Sequence, residues 1–184
     1  MTVLDPVPER RIAGPRGGTI RLRALEAPDL RRVVVLEQRL FGRGAWTYGM
    51  LAEELGGPGR WYVAAEPEPL DAAGPQEIVG YAGLWFDGDV TQIMTIGVDP
   101  AAQHQGVGTL LLDALVERSR VLRASAVLLE VAVTNDAALA MYAKHGFEQM
   151  GLRRRYYQPG NVDAYTMRLE LRETPGPVGA EAVE

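Results

Sequence analysis

The stretch that most narrows the choice of fold is AVLLEVAV, residues 126–133. It is apolar on both alternating faces except at Glu130. A strand without a polar face belongs at the centre of a sheet, covered on both sides. Glu130 is then the anomaly, because an unpaired carboxylate is costly to bury. Either it is a structural glutamate with a partner, or it is a general base tuned by its surroundings.

The segments around it read in sequence order. Residues 19–25 (TIRLRAL) alternate as a strand. Pro28 and Asp29 open a helix through Phe41, with Leu30, Val33, Val34, Leu40 and Phe41 on one face. Glu37 falls inside that same apolar stripe. A short helix at 47–55 stops at Gly56, Gly57 and Pro58. Residues 60–66, 77–86 and 90–98 read as strands, the last two joined by a turn signal at 87–89. A helix is predicted from 106 to 122, ahead of the strand at 126–133. Another helix starts from a cap at Thr134 or Asn135 and ends at Gly146. Residues 147–157 and 164–171 make a closing hairpin. The order β-α-α-β-β-β-α-β-α-β-β shows no internal repeat and describes one mixed α/β domain at 18–172. Residues 1–17 and 173–184 lack periodicity, and are expected to be a flexible N-terminal segment and a disordered tail.

Composition removes several classes of function. The 184 residues suffice for one sizeable core. A net charge of −5 argues against broad binding to nucleic acid. No apolar run nears the ~20 residues of a membrane span, and no secretory signal is visible. The expected location is the cytoplasm, with no membrane partner. The absence of cysteine excludes disulfides and thiolate nucleophiles. His104 and His145 are too few for a typical zinc site, so no metal is expected. Ser119 and Ser125 are the only serines, and neither sits in a Gly-x-Ser-x-Gly setting.

Between the strand at 90–98 and the next helix, Gln103, Gly106 and Gly108 form a Q-x-x-G-x-G loop. Each glycine loses about 0.5–1 kcal/mol of order relative to alanine. The turn therefore needs an unusual φ, or something approaches the backbone closely. Exposed N–H groups and the helix dipole suit a pyrophosphate there. A tight turn without a ligand has the same pattern. Asn135 and Tyr142 stand two helical turns apart on one helix face. They are a cap and a core aromatic, or a pair facing a ligand on the open side of the sheet.

Taken in order, IGVDPAAQHQGVGTLLL, LLEVAVTNDAALAMYAKHGF and RRRYY resemble the GCN5-related N-acetyltransferase (GNAT) family. Within it they are similar to the ribosomal-protein-alanine acetyltransferase branch, over residues 19–171. The resemblance implies a mostly antiparallel sheet of about seven strands splayed at its centre, with about four helices. It implies acetyl-CoA as the acetyl donor. Gln103, His104, Gln105, Gly106, Val107, Gly108 and Thr109 would wrap the pyrophosphate. Ile96, Gly97 and Val98 would pair with the pantetheine, and Asn135 would contact its arm. Glu130 would act as base through water, and Tyr142 as the acid that protonates the departing thiolate. Glu37, Trp46, Tyr156 and Tyr157 would line a groove for a protein N-terminus, such as that of ribosomal protein S18. The chain departs from the branch at Ala45, where a proline usually precedes the tryptophan, and at Ala132, often a basic residue.

Two other readings compete. One is an acetyltransferase of the same fold acting on a small-molecule amine or a lysine side chain. The other is a non-catalytic acyl-CoA-binding module, against which the presence of both Glu130 and Tyr142 counts. The chemistry leans toward N-termini. Neutralising an α-amine at pH 7 costs roughly 1 kcal/mol, against roughly 4–5 kcal/mol for a lysine. The sequence sets no oligomeric state.

Overall fold

Alternation along the strands creates two sheet faces, and each carries its own core. The computed structural model describes residues 7–8, 10–14, 18–68 and 77–171. The strands are β1 (Arg11–Ala13), β2 (Thr19–Ala24), β3 (Arg60–Glu68), β4 (Gly80–Phe86), β5 (Thr91–Val98), β6 (Ala126–Ala132), β7 (Glu148–Tyr157) and β8 (Val162–Glu170). The helices are α1 (Leu30–Phe41), α2 (Tyr48–Gly56), α3 (Val107–Val121) and α4 (Asp136–Lys144). Leu111, Leu112 and Leu115 of α3 pack with Val127, Leu129 and Val131 on one face. Leu30, Val33 and Leu36 of α1 pack with Leu51, Tyr62 and Tyr81 on the other. Each buried leucine of this kind contributes about 1.5–3 kcal/mol.

The eight strands form one sheet in the order β1-β2-β3-β4-β5-β6-β8-β7. Every pair is antiparallel except β5–β6. That parallel pair needs a crossover, and α3 supplies it. Its pairing holds only at Thr91↔Val127 and Gln92↔Leu128. Further along, β5 follows β4 as far as Val98↔Gly80, while β6 follows β8 as far as Ala132↔Ala164. A bulge contributes to the parting. Leu84 pairs with Ile93 and Gly83 with Thr95, so Met94 has no opposite number. Such an extra residue bends its strand and increases the twist. The sheet thus opens between residues 93–98 and 129–132.

Two glycines serve close packing around the bulge. A Cβ at Gly83 would lie 2.0 Å from the Tyr62 ring, and one at Gly97 2.4 Å from the Tyr81 ring. The rings of neighbouring strands lie across these positions, so no side chain fits.

The N-terminal segment differs from expectation. Instead of remaining irregular throughout, it supplies β1, which pairs Arg11↔Arg21, Ile12↔Ile20 and Ala13↔Thr19. Ile12 packs on the α3-side core. Arg10 reaches α3, with its guanidinium 2.6 Å from Glu117 and 3.2 Å from Asp113. One apolar anchor and long-range ion pairs leave no hydrophobic period to read. The expected tail at 173–184 lies outside the described residues. Among the described residues, no helix is long and apolar enough to cross a membrane.

Candidate active site

The loop between β5 and α3 is built by its own chain. Asp99 accepts the Ala101 N–H at 3.0 Å, and Pro100–Ala102 forms a 3-10 turn. Arg32 of α1 also donates to Asp99, fastening the loop to the first helix. Gly106 then starts α3 with a φ of 84°. That left-handed conformation strains any side chain and answers for this glycine. Gly108 has a different reason, because a Cβ there would stand 3.3 Å from the Met141 sulfur on α4. Among the described residues, no side chain caps the start of α3. Its first N–H groups have no intrahelical partners, and the dipole adds positive potential, which makes an anion-binding geometry.

Gln103 and Gln105 brace this loop from within. Their amides donate to the carbonyls of Val98 at 3.2 Å and Ala101 at 3.0 Å. A hollow of about 510 Å³ lies outside the loop, against Arg10, Arg11, Gly106 and Thr109. It flanks the loop and not the parting of the sheet. Its arginines are already paired, Arg10 with Asp113 and Glu117, and Arg11 with Glu68.

Among the described residues, 93–98 have β4 along one edge and no strand along the other. Antiparallel pairing with β4 engages alternate backbone groups, so the rest face the opening. Ile96, Gly97 and Val98 lie there, close to the uncapped helix. Asn135 has a local role. Its side-chain oxygen accepts the Ala138 N–H at 3.2 Å and caps α4.

Glu130 occupies the far wall of the opening. Strand alternation sends Leu129 and Val131 into the α3-side core and turns Glu130 to the opposite face. Its side chain is 13% exposed. The Gln92 amide donates to one carboxylate oxygen at 2.5 Å, and Arg153 donates to the other at 2.7 Å. The Tyr157 hydroxyl donates to the Glu130 backbone carbonyl at 3.1 Å. This glutamate is therefore partnered, and it also stands at the opening. Burial, together with Tyr156 and Glu130 nearby, pushes the Tyr157 phenol up to about 12. Tyr156 packs edge-on against Tyr157 at 5.0 Å.

Tyr142 comes from α4 on the α3 side of the sheet, where it packs 5.6 Å from the Phe147 ring. It is 7% exposed. Burial, and then the nearby Tyr157 phenol, push its own phenol above the ordinary value. It keeps its proton through the neutral range and can serve as a donor. Glu130 and Tyr142 thus lie on opposite faces of the sheet.

Glu37 requires a correction. The resemblance implied a place lining the peptide groove, but the side chain is turned inward and is 2% exposed. Its carboxylate accepts the Tyr81 hydroxyl at 2.5 Å, the Trp46 N–H at 2.9 Å and the Thr95 hydroxyl at 3.4 Å. Burial pushes this carboxyl up, while those hydrogen bonds act against the shift. A carboxylate in the apolar stripe of α1 must find donors there, and these neighbours provide them. Glu37 consequently holds the loop carrying Trp46 against the bulged part of β5. Trp46 packs on the α1-side core. A Cβ at Gly44 in this loop would be 3.6 Å from the Gln158 carbonyl, so the loop borders the β7–β8 turn. Phe41, Tyr48, Tyr156 and Tyr157 are exposed on the two sides. Sequence reasoning missed Gln92, Arg153, Tyr81 and Thr95. The only signal for Arg153 was its place in the RRRYY run.

Among the described residues, no group of three or more His, Cys, Asp or Glu could hold a metal ion. The Acetyltransferase (GNAT) family model matches residues 30–147. N-alpha-acetyltransferase RimI of Mycobacterium tuberculosis is 41% identical over 154 residues, covering 81% of this chain and 91% of that protein. The crystal structure of the ribosomal-protein-S18-alanine N-acetyltransferase from Escherichia coli matches with a TM-score of 0.71 and 26% identity, covering 87% of this chain and 99% of that one. Arabidopsis thaliana NAA60 in complex with acetyl-CoA has the same fold, with a TM-score of 0.73 at 18% identity over 83% of this chain and 98% of that one. With the family model matching residues 30–147 and a relative 41% identical over most of both proteins, the chain belongs to the GNAT acetyltransferase family.

Proposed function

We propose that this acetyltransferase moves the acetyl group of acetyl-CoA to the free α-amine of a protein N-terminus. What supports the reading is Glu130, held by Gln92 and Arg153 where β5 and β6 part, with the buried Tyr142 on the α3-side face of the sheet. The start of α3 suits the pyrophosphate, and the open edge of β5 at Ile96, Gly97 and Val98 suits the pantetheine. Asn135 at the start of α4 stands on the donor side. The acceptor enters between the Trp46 loop and the β7–β8 turn, past Tyr156 and Tyr157. Its N-terminal alanine corresponds to the substrate named for the Escherichia coli relative, and the Mycobacterium tuberculosis relative is by name an N-alpha-acetyltransferase. Ribosomal protein S18 is accordingly the first acceptor to test, with the cytoplasm as the place of reaction.

The amine nitrogen forms a bond to the acetyl carbon as the carbon–sulfur bond breaks. Glu130 receives the nitrogen's proton directly from the bound amine. An α-amine needs only roughly 1 kcal/mol to be neutral at pH 7. Tyr142 faces the leaving sulfur. A thiol titrates near 8.5 and an unperturbed phenol near 10, so complete transfer from a phenol raised still further is uphill by more than about 2 kcal/mol. Tyr142 therefore stabilises the sulfur by hydrogen-bond donation as charge develops, and the thiolate takes its proton later. This refines the acid role implied by the family.

The test compares alanine-initial peptides that carry an internal lysine, with the α-amine either free or formylated. Formylation is expected to abolish transfer. Equal acetylation of the blocked peptide, or of free polyamines, would establish a lysine or small-molecule acetyltransferase instead.

A further inference from the structure

Arg153 is unusual among the groups around Glu130 because it is both a cation and largely in solvent. Its side chain is 55% exposed, whereas that of Glu130 is 13% exposed. It reaches the carboxylate from β7, the edge strand of the sheet. The regular β7–β8 ladder breaks just after it, passing from Arg153↔Ala164 to Tyr157↔Val162. Arg155, inside that break, has a φ of 53°. The guanidinium also lies 5.3 Å over the Tyr156 ring, an aromatic face that can hold it without the carboxylate. Exposed ion pairs of this kind are weak and exchangeable.

We infer that Arg153 is a displaceable counter-ion, occupying on Glu130 the position that the substrate amine takes. This positioning role rests on Glu130 being the proton acceptor. In the substrate-free protein the guanidinium bonds one carboxylate oxygen while Gln92 bonds the other. The arriving α-ammonium offers its own N–H donors to the oxygen held by Arg153. Arg153 then withdraws onto Tyr156, and Gln92 keeps the carboxylate oriented. No covalent bond changes in this exchange. Its consequence is a preference for a small cationic amine, since a neutral acceptor has no charge with which to replace the guanidinium.

The groups facing Glu130 are Gln92 from β5, Arg153 and the phenols of Tyr156 and Tyr157 from β7, and Thr166 opposite it on β8. Arg153 is the cation of this set. The pH profile of kcat/KM reports groups in the free enzyme, and that of kcat reports groups in the complex. Loss of a neighbouring positive charge favours the protonated form of a carboxyl. In Arg153→Gln the acidic limb of kcat/KM is therefore expected to move up, while the limb of kcat stays in place. Arg153→Lys should return the first limb toward its original position.

Equal movement of both limbs would show that Arg153 stays on Glu130 during turnover and would overturn the proposal. Movement of neither limb would also overturn it, leaving Arg153 a structural residue. Arg153→Met keeps the apolar stem over Tyr156 and carries the same comparison if Arg153→Gln loses cooperative melting. Glu130→Gln is measured in parallel. Full activity in that variant would remove the base assignment itself, whereas a large loss with unmoved Arg153 limbs would remove only the counter-ion.

Discussion

Glu37 and Glu130 lie toward the same face of one sheet, yet their surroundings differ in kind. Glu37 is closed in by the Tyr81 and Thr95 hydroxyls and the Trp46 N–H, all of them neutral donors fixed by packing. Glu130 is held by an amide and by a guanidinium that reaches in from solvent. The first arrangement pins a loop, because moving the carboxylate would strand buried donors. The second leaves a carboxylate at an opening, with a partner that can exchange. The same side chain is thus sealed into the architecture in one place and stands at an opening in the other. Access and the charge of the donors make the difference.

The largest expected effect lies at the opening. Glu130→Gln should lower the rate by about 10²–10⁴, the range of general acid–base catalysis. The loss should be least at high pH, where the amine arrives neutral. Tyr142→Phe should lower the rate by about 10²-fold at the lower end of that range, with the same factor across neutral pH because the phenol keeps its proton there. Steady-state rates from pH 6 to 9 check both, and superimposable profiles would contradict the two roles.

A donor-side substitution sharpens the comparison. Gly106→Val is expected to raise the acetyl-CoA KM about tenfold or more and to lower thermal stability, since the left-handed φ costs about 1–3 kcal/mol with a side chain. The acidic limbs should not move. Gly108→Ala should do less, because its contact is the flexible Met141 side chain.

The smallest expected effect concerns Glu37. Glu37→Gln keeps the shape and should cost about 1 kcal/mol of stability, measured by denaturant unfolding, with at most a few-fold change in rate. Its pH signature has a definite sign. Burial raises the native carboxyl above its ordinary value of 4.5, so the folded protein binds that proton more tightly. The stabilising contribution is complete below that ordinary value and is lost as pH rises through the raised native value. Glu37→Gln should flatten this part of the stability profile. A rate loss as large as that of Glu130→Gln would erase the distinction between the two glutamates.

Much of this site was legible because it depends on neighbours in the chain. The glycine turn before α3, the Asn135 cap and the outward turn of Glu130 between Leu129 and Val131 follow from local sterics and strand period. The sequence also showed that Glu37 falls in the apolar stripe of α1. It could not show whether that glutamate faces a groove or a buried cage, because Tyr81 and Thr95 come from other strands. Nor could it show β1, whose three residues carry no period of their own.

By itself, then, the sequence determined the order of the elements from β2 onward, the glycine turn at the head of α3 and the direction in which Glu130 points. Those properties arise from φ preferences and side-chain alternation within a few residues. Tertiary structure alone decided that β5 and β6 part after Gln92↔Leu128, that Arg153 and Gln92 meet on Glu130, and that Glu37 is sealed inside. Each of these depends on strand register and on contacts between residues distant in the chain. Local periodicity fixes which way a side chain leaves its own backbone, but register and packing select the groups that come to meet it.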